Sequence, residues 1–458
     1  MDIKNIQRIY FIGIGGIGMS ALARYFKFHG RTVSGYDKTE TVLTKQLAEE
    51  GIEIHYEDSV EKLDKTADVV VYTPAIPATQ LQFQFYKENN FELLKRSDVL
   101  GLITAGSFNI CVAGTHGKTT ITTMIAHILR DSGYGCNAFL GGIAVNYESN
   151  FWSNERNVCV VEADEYDRSF LKLNPDIAVV TAMDADHLDI YGTAEAVESA
   201  FIDFTAKLKP EGILIHKQGL AKAASLHGSK KVIYGLDKSL ADVRPVNITM
   251  NSGSYLFDVS GSGWQLQDVV LNMGGLHNVE NITAAIAVAK ELQIDDEEIR
   301  SAVESFKGVK RRFEYILKRE DLVFVDDYAH HPEELRALIT GAKGLFSNMR
   351  CILIFQPHLF SRTRDFADGF AESLDLADEV VVLPIYPARE LPIEGVTSQL
   401  LIDKMKTSNK QLLEKESLLE WMNSMAGKRT NQGKTLLITA GAGDIDTLIE
   451  PIKQIIEK

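Results

Sequence analysis

Short apolar runs recur along the chain, and each is followed by a turn and then by residues that are apolar at helical spacing. The clearest runs occupy residues 8–12, 32–36, 69–72, 109–112, 158–161, 177–180, 322–325, 351–355 and 436–439. Runs this short, with little polar alternation, are typical of strands that a parallel sheet buries on both faces. The pattern therefore predicts an α/β fold in which strands and helices alternate.

The length of 458 residues is enough for about three domains of ordinary size. We predict a Rossmann-like N-terminal domain at 1–106, a central P-loop ATPase-like α/β domain at 107–311 and a C-terminal Rossmann-like α/β domain at 312–458. Short glycine and proline breaks separate these parts, so the joints between domains are expected to be compact.

A glycine-rich loop follows the apolar run at 109–112, where residues 112–120 read VAGTHGKTT and open a helix-compatible stretch. Backbone N–H groups in such a loop point at phosphate oxygens, a lysine adds positive charge, and a threonine hydroxyl binds Mg²⁺. The standard loop has a glycine where Val112 stands, so this is a shorter variant. The residues expected to hold a nucleoside triphosphate are Gly114, Thr115, His116, Gly117, Lys118, Thr119 and Thr120. The alternative is a strand-to-helix turn with an incidental lysine.

A second glycine motif, GIGGIG at 13–18, lies between the strand at 8–12 and a predicted helix. Asp37 ends the next strand, where an acid accepts hydrogen bonds from ribose hydroxyls. Alone, this motif suggests an NAD enzyme, but a nicotinamide dehydrogenase has no use for a triphosphate loop. Two diphosphate cradles indicate two nucleotides, one carried on the substrate and one consumed.

Acidic residues follow two strands of the central domain. Glu162 ends the strand at 158–161, and the strand at 177–180 leads into TAMDADHLD at 181–189. Ligands bind off the carboxyl ends of parallel strands, so Glu162 is a good metal ligand. His187 is an atypical ligand for Mg²⁺ and suggests a second metal position on the substrate side. For Asp164, Glu165, Asp167 and Asp189, a solvated loop charge stays an equal alternative.

The charge and cysteine content exclude several classes of protein. With 48 basic and 63 acidic residues the formal charge is −15, which argues against a nucleic-acid partner. The four cysteines are scattered and suggest neither a disulfide framework nor a thiolate zinc site. No run is long enough to cross a bilayer, and the N-terminus lacks a basic segment followed by a long apolar one. We expect a cytoplasmic protein with no membrane partner.

Together these motifs resemble the Mur ligases of peptidoglycan synthesis, and the resemblance covers nearly the whole chain. It rests on FIGIGGIGMS at 11–20, GTHGKTT at 114–120, EADE at 162–165, DH at 186–187, GLHN at 275–278 with Asn281, RRF at 311–313, DDYAHHP at 326–332 and QPH at 356–358. Within the family, the chain is most similar to the members that add L-alanine.

The resemblance implies an ATP- and Mg²⁺-dependent ligase. It implies that ATP phosphorylates the lactyl carboxylate of UDP-N-acetylmuramate, and that the amine of L-alanine attacks the acyl phosphate to form an amide. Positioning and neutralisation of charge would lower the barrier. A monomer or a homodimer is expected.

The resemblance also implies roles for individual residues. Thr119 and Glu162 would hold the metal on the ATP side, and Glu162 with His187 a second metal facing the acyl phosphate. The groups expected to act in catalysis are Lys118, Glu162, His187 and His330. Further nucleotide contacts are expected from Asn278, Asn281, Arg312 and Asp327. The substrate-binding residues are expected to be Gly15, Gly16, Gly18, Asp37, Arg96, His116, Tyr328, His330 and Arg362.

Two departures from the family pattern bear on specificity. Leu359 stands where many alanine-adding members carry a second arginine. No lysine lies between His187 and Lys207, whereas later ligases of the pathway carry a carbamylated lysine there. The closest alternative is a murein-tripeptide ligase that uses the same sugar nucleotide. A dinucleotide-dependent oxidoreductase and a non-catalytic UDP-sugar sensor are more remote, because each leaves motifs unused.

Overall fold

The computed structural model describes residues 3–184, 188–251, 253–388, 390–426 and 433–457. Its strands are β1 Arg8–Ile12, β2 Thr32–Tyr36, β3 Glu53–His55, β4 Val69–Tyr72, β5 Leu93–Lys95, β6 Phe108–Ala113, β7 Asn137–Ala144, β8 Ser149–Trp152, β9 Val158–Glu162, β10 Ile177–Val180, β11 Ile213–Lys217, β12 Lys230–Tyr234, β13 Arg244–Asn251, β14 Ser254–Gly261, β15 Trp264–Leu271, β16 Glu314–Lys318, β17 Leu322–Asp327, β18 Arg350–Phe355, β19 Glu379–Val382, β20 Lys410–Leu412 and β21 Thr435–Ala440. Its helices are α1 Ile17–Phe28, α2 Val42–Glu49, α3 Leu81–Glu88, α4 Arg96–Thr104, α5 Lys118–Asp131, α6 Leu188–Tyr191, α7 Ala194–Thr205, α8 Leu276–Glu291, α9 Asp296–Ser305, α10 Pro332–Leu345, α11 Phe360–Asp365, α12 Ala367–Leu374, α13 Gln399–Lys404, α14 Lys415–Ala426 and α15 Ile449–Glu457.

The chain forms two compact units. The first comprises Met1–Asn247, Phe257–Val269 and Glu280–Phe306, and the second comprises Ile248–Leu256, Val270–Val279 and Lys307–Lys458. The predicted α/β class is confirmed, since mainly parallel sheets with intervening helices make up both units. The predicted boundaries at 106/107 and 311/312 stay predictions.

The first unit begins with a five-stranded parallel sheet of order β3-β2-β1-β4-β5. The central strand β1 is buried from Ile9 to Ile12, as its continuous apolar run predicts. The chain passes from β1 to β2 on one side of β1, and it returns from β3 to β4 on the other side. Such a reversal opens a crevice at the carboxyl end of β1, where α/β sheets bind ligands.

A seven-stranded sheet of order β12-β11-β10-β6-β9-β7-β8 completes the first unit, with β8 antiparallel to β7. Helix α1 packs against this sheet, because the Tyr25 ring lies 5.7 Å from Phe139 on β7 and 6.1 Å from Phe151 on β8. One hydrophobic core therefore runs from the first sheet through α1 to the second. This packing fixes the relative position of the two glycine loops.

The second unit contains a six-stranded sheet of order β16-β17-β21-β18-β19-β20, in which only β16 is antiparallel to its neighbour. Its core joins the inner faces of these strands to α14 and α15. The predicted strands at 322–325, 351–355 and 436–439 are the central ones.

The sequence pattern did not predict the three-stranded sheet of order β13-β14-β15. Burial alternates along β14, which has one buried and one more exposed face. This half-buried pattern differs from the continuous apolar runs on which the predicted strands rest.

Among the described helices, none is both long and apolar enough to cross a membrane. Cys111, Cys136, Cys159 and Cys351 are each buried with a free thiol.

Candidate active site

The first glycine loop, residues 13–16, joins β1 to α1. Gly13 has a φ of +85°, which strongly favours glycine. The N–H of Gly15 donates to Asp37 Oδ2 at 2.7 Å, so the structure brings these two predicted residues together. A Cβ on residue 15 would lie 2.8 Å from that oxygen and 2.7 Å from Thr44 Cγ2. The carboxylate therefore shapes the loop from within.

Arg96 connects this loop to the central sheet. A Cβ on Gly18 would lie 2.9 Å from an Arg96 guanidinium nitrogen, so the glycine gives the side chain its space. The same guanidinium donates to Asp164 Oδ2 at 3.2 Å. At Gly16 a Cβ would fit without a clash, because the nearest atom, the Gly13 carbonyl oxygen, would lie 3.5 Å away. Of the substrate residues predicted in the first domain, Gly15, Gly18, Asp37 and Arg96 thus have defined local contacts.

The second glycine loop, residues 114–117, joins β6 to α5. Gly114 has a φ of +144°, and a Cβ there would lie 1.9 Å from Thr181 Oγ1. Gly117 precedes the helix with a φ of +80°, and no side chain caps the helix N-terminus. Uncapped N–H groups at the start of a 14-residue helix form an anion site. The backbone geometry fits the predicted phosphate loop.

Lys118 is the first residue of α5, and its ammonium group is held at the loop. Its Nζ donates to the Gly114 carbonyl oxygen at 2.5 Å and to Glu165 Oε1 at 2.8 Å. The Glu165 side chain is only 2% exposed. Burial raises the pKa of Glu165, and the Lys118 charge opposes that rise. A carboxylate that the sequence left open as a loop charge thus positions the loop lysine.

Glu162 and Thr119, both predicted metal ligands, face each other across β9 and α5. The Thr119 hydroxyl donates to Glu162 Oε1 at 3.0 Å, and the N–H of Gly141 donates to Glu162 Oε2 at 2.9 Å. A Cβ on residue 141 would lie 2.2 Å from Glu162 Oε2. Only glycine leaves room for this carboxylate, a role that the sequence did not reveal.

The donor set at this point suits Mg²⁺, which prefers hydroxyl, carboxylate, phosphate and water oxygens. Across the described ranges, no three histidine, cysteine, aspartate or glutamate side chains converge on a metal-sized point. The predicted metal ligand His187 lies outside the described residues, as does the side chain of Asp189. Thr119 and Glu162 are therefore the predicted ligands whose geometry is described.

The remaining loop residues pack against the end of β10. The N–H of Thr115 donates to the Ala182 carbonyl at 3.2 Å, and the Thr181 hydroxyl donates to the His116 carbonyl. The exposed His116 ring lies 4.0 Å from Asp184 Oδ2. Thr120 is buried in α5. The histidine is thus the exposed polar side chain of this loop.

The loop acids take three different roles. Asp164 pairs with Arg96, and Glu165 is buried against Lys118. Asp167 lies at the surface, 3.6 Å from Lys95 Nζ. A small cleft is lined by Arg96, Glu162 and Asp164. Arg96, which also lies beside Gly18, and the predicted metal ligand Glu162 therefore line one cleft in the first unit.

The two asparagines that are predicted to contact the nucleotide fall in different units. Asn281 lies beside the second loop, since a Cβ on Gly117 would be 3.3 Å from its Oδ1. Asn278 belongs to the second unit, where its Nδ2 donates to the Gly274 carbonyl at 2.6 Å. Of these two asparagines, Asn281 therefore lies in the same unit as the second glycine loop and beside it.

In the second unit, two acids at the end of β17 are buried. Asp327 accepts from the N–H groups of Phe313 and Ala329, both at 2.7 Å, and burial raises its pKa to about 6. The neighbouring Arg312 opposes this rise. Asp326 accepts from the Thr439 hydroxyl at 2.6 Å, and burial raises its pKa to about 7. These acids organise the segment that carries Arg312 and Tyr328.

The predicted amino-acid residues of the second unit form a cluster around His358. The His330 ring lies 5.4 Å from the Tyr328 ring and 6.1 Å from that of His358. The Arg362 guanidinium donates to His358 Nδ1 at 3.3 Å. Burial, with Arg362 and His330 nearby, lowers the pKa of His358 to about 4. His358 was missing from the predicted site, although it follows a strand in the QPH motif.

Leu359 adopts a φ of +72° and a ψ of 135°, which is unfavourable for a branched side chain. Its N–H donates to the Tyr386 carbonyl at 2.9 Å, and its carbonyl accepts from Thr363 in α11. Strained backbone of this kind is concentrated at ligand sites. The departure from the family pattern thus lies in the turn that orients His358 and Arg362.

The fold and the phosphate loop are those of a nucleotide-binding α/β enzyme of several domains. The chain belongs to the Mur ligase family of ATP-dependent, amide-forming ligases. Residues 8–107 match the model "Mur ligase family, catalytic domain", residues 112–289 match "Mur ligase middle domain", and residues 311–443 match "Mur ligase, glutamate ligase domain". These matches confirm the predicted family and its three-domain architecture.

Among curated relatives, the chain is similar to the UDP-N-acetylmuramate–L-alanine ligase of Flavobacterium johnsoniae, with 46% identity that covers 100% of both chains. The ligase of the same name from Parabacteroides distasonis is also 46% identical, with 100% of this chain and 99% of the relative covered. The solved structure of UDP-N-acetylmuramate–alanine ligase from Thermotoga maritima superposes with a TM-score of 0.81 at 28% identity, covering 98% of each chain.

Proposed function

We propose that this chain joins L-alanine to the lactyl carboxylate of UDP-N-acetylmuramate in the cytoplasmic synthesis of a peptidoglycan precursor, with conversion of ATP to ADP and phosphate. The observation that carries the proposal is the 46% identity, over the whole chain, to a ligase of that name. The two glycine loops in one compact unit support it, because the reaction needs two nucleotides at once.

The reaction proceeds in two steps. A lactyl carboxylate oxygen attacks the γ-phosphorus of ATP, the bond to the β–γ bridging oxygen breaks, and ADP leaves. The alanine nitrogen then attacks the acyl carbon, its bond to the phosphate oxygen breaks, and phosphate leaves. A carboxylate is a poor acceptor for an amine, and phosphorylation turns its oxygen into a good leaving group.

Residues of the second glycine loop hold the triphosphate. N–H groups at the uncapped start of α5 donate to phosphate oxygens, and Lys118 balances charge on the γ-phosphate. The buried Glu165 holds the lysine at the loop before the nucleotide arrives. This preorganisation reduces the ordering that the transition state requires.

Thr119 and Glu162 would hold Mg²⁺, since their oxygens already lie 3.0 Å apart beside the phosphate loop. When bound, Mg²⁺ neutralises charge on the phosphate oxygens. By family resemblance, His187 would hold a second metal together with Glu162. Arg96 brings further positive charge to the same cleft, where it orients the anionic sugar nucleotide.

In the second unit, His330 and Arg362 would receive L-alanine. The His330 Nδ1 donates to the Tyr328 carbonyl oxygen at 2.9 Å, so the neutral ring has its lone pair on Nε2. Burial lowers the pKa of His330, which keeps it neutral near pH 7. Its Nε2 accepts the proton that the alanine ammonium group must lose before attack. Arg362 pairs with the alanine carboxylate.

Phosphate release measured with each substrate omitted in turn tests the proposal. We expect release only when ATP, UDP-N-acetylmuramate and L-alanine are all present, with one amide formed per phosphate. Turnover with a murein tripeptide in place of L-alanine would overturn the assignment in favour of the tripeptide ligase. Phosphate release that ignores the amine would overturn ligase activity altogether.

A further inference from the structure

One cavity in the first unit lies away from both glycine loops. It has a volume of about 600 Å³ and lies between the C-terminal ends of α1 and α5, with β8 as its wall. We call it the α1–α5 cavity and define it by Arg24, Lys27, Phe28, Arg130, Phe151 and Trp152. Its volume falls within the range of about 300–1,000 Å³ that small-molecule sites occupy.

The charge of the cavity is opposite to that of the protein. Arg24, Lys27 and Arg130 bring three positive charges and Glu50 one negative charge, which leaves +2 in a chain of net charge −15. Glu50 is committed to Arg24, because its Oε1 lies 2.6 Å from the Arg24 guanidinium. The excess charge therefore comes from Lys27 and Arg130.

Both of these cations have donors for a ligand. Lys27 Nζ donates to the Gly51 carbonyl oxygen at 2.7 Å, which uses one of three ammonium hydrogens. The Arg130 guanidinium carbon lies 4.0 Å from the Tyr147 ring centroid and 5.3 Å from that of Trp152. These rings hold the guanidinium by cation–π attraction and leave its edge, with the N–H groups, for an anion.

Aromatic rings form the apolar part of the same cavity. Phe28 is 61% exposed, whereas Phe151 and Trp152 are each 7% exposed. An exposed phenylalanine beside two cations is a favourable surface for a flat ring that carries an anionic group, because stacking removes apolar area from water.

The cavity is also connected to both glycine loops. Its cations Lys27 and Arg130 lie in the last turns of α1 and α5. Helix α1 starts just after the first loop, and α5 starts at Lys118. A ligand that bridges the far ends of the two helices therefore acts on the elements that carry both loops.

We propose that the α1–α5 cavity is an effector site for a small anion with a flat aromatic or heteroaromatic body. The site is separate from the catalytic cleft. Its occupancy changes the apparent Michaelis constants for both nucleotide substrates through α1 and α5.

Anilinonaphthalenesulfonate, a flat ring system with one sulfonate, is a suitable probe. It is titrated into the full chain with saturating ADP and UDP-N-acetylmuramate, so that both nucleotide sites are filled. We expect saturable binding of one probe per chain, with energy transfer that Trp152→Phe reduces. We expect Arg130→Met and Lys27→Met each to weaken binding about tenfold, since each removes one charge-assisted contact.

Arg156→Met is the matched control, because Arg156 also lies on an aromatic ring, that of Tyr134, but does not line the cavity. It should leave probe affinity unchanged. Equal affinity in the wild type and Lys27→Met would overturn the site even if Arg130→Met does not fold. Equal weakening by Arg156→Met would also overturn it. In steady-state assays the probe should change both Michaelis constants in the wild type, and unchanged values would overturn the effector role.

Discussion

The two glycine loops of the first unit have the same local plan and different chemistry. Each connects a buried parallel strand to a helix and needs glycine at positions of positive φ. In the first loop, the N–H of Gly15 donates a hydrogen bond to the Asp37 carboxylate. In the second loop, the helix start is uncapped and a lysine beside it is held by a buried glutamate.

The glycine pattern alone therefore does not assign a role to either loop. The Asp37 carboxylate shapes the first loop, which we propose binds the nucleotide carried on the substrate. Beside the second loop, a lysine and a glutamate carry charge and a threonine carries a hydroxyl, the groups that we propose serve phosphoryl transfer. We therefore treat the first loop as a binding loop and the second as a reactive loop. Each of the following variants changes a residue at or beside one of the two loops.

Lys118→Ala should have the largest effect. We expect ligation to fall by about four orders of magnitude, because the charge on the transferred phosphoryl group loses its counter-ion. Phosphate release measures turnover, and isothermal titration measures UDP-N-acetylmuramate binding, which should persist. The control is Lys172→Ala, an exposed lysine 3.1 Å from Asp98 in the same unit. Normal turnover of Lys118→Ala would contradict the reactive role of the second loop.

Glu162→Gln should lower turnover by about three orders of magnitude while it preserves side-chain size. The glutamine amide occupies the same space beside Gly141 as the carboxylate, but it lacks the negative charge that would bind Mg²⁺. Steady-state rates against Mg²⁺ and Mn²⁺ concentration measure the effect. Asp167→Asn, in the same acidic run but at the surface, should be nearly normal. Similar rates for the two variants would refute the metal role of Glu162.

Gly15→Val should raise the Michaelis constant for UDP-N-acetylmuramate roughly thirtyfold and change that for ATP little. The reason is steric, since a Cβ there would meet Asp37 and Thr44 within 2.8 Å. Steady-state kinetics with each substrate varied in turn measures both constants, and thermal unfolding checks that the variant is folded. An equal rise in both constants would show that the two loops do not act separately.

Glu165→Gln should have the smallest effect, a fall in turnover of about tenfold with a small change in the Michaelis constant for ATP. The glutamine keeps one hydrogen bond to Lys118 but loses the ion pair that positions it. A turnover number equal to that of the wild type would mean that the pair is structural only.

Much of this picture follows from local sequence. The strands at 8–12 and 108–113 and the loops after them were predictable, because continuous apolar runs and glycine spacing are local signals. The position of Glu162 at the end of β9 was also predictable, and its role as a metal ligand stays a prediction. The three-stranded sheet at 244–271 was not, since its half-buried strands lack such runs.

Other site residues depend on tertiary packing. Asp164, Glu165 and Asp167 are neighbours in one acidic run, yet one pairs with Arg96, one is buried against Lys118 and one is exposed. No local pattern separates them, because burial depends on which distant elements pack against each side chain. The α1–α5 cavity was missed for the same reason.

Simultaneous binding of two different nucleotides would separate the binding loop from the reactive loop in one measurement. The wild-type chain is titrated calorimetrically with UDP-N-acetylmuramate, then with a non-hydrolysable ATP analogue, and separately with NADH. We expect one UDP-sugar and one ATP analogue per chain, bound together, and no binding of NADH. Competition between the two nucleotides for one site, or NADH binding that UDP-N-acetylmuramate displaces, would contradict the account.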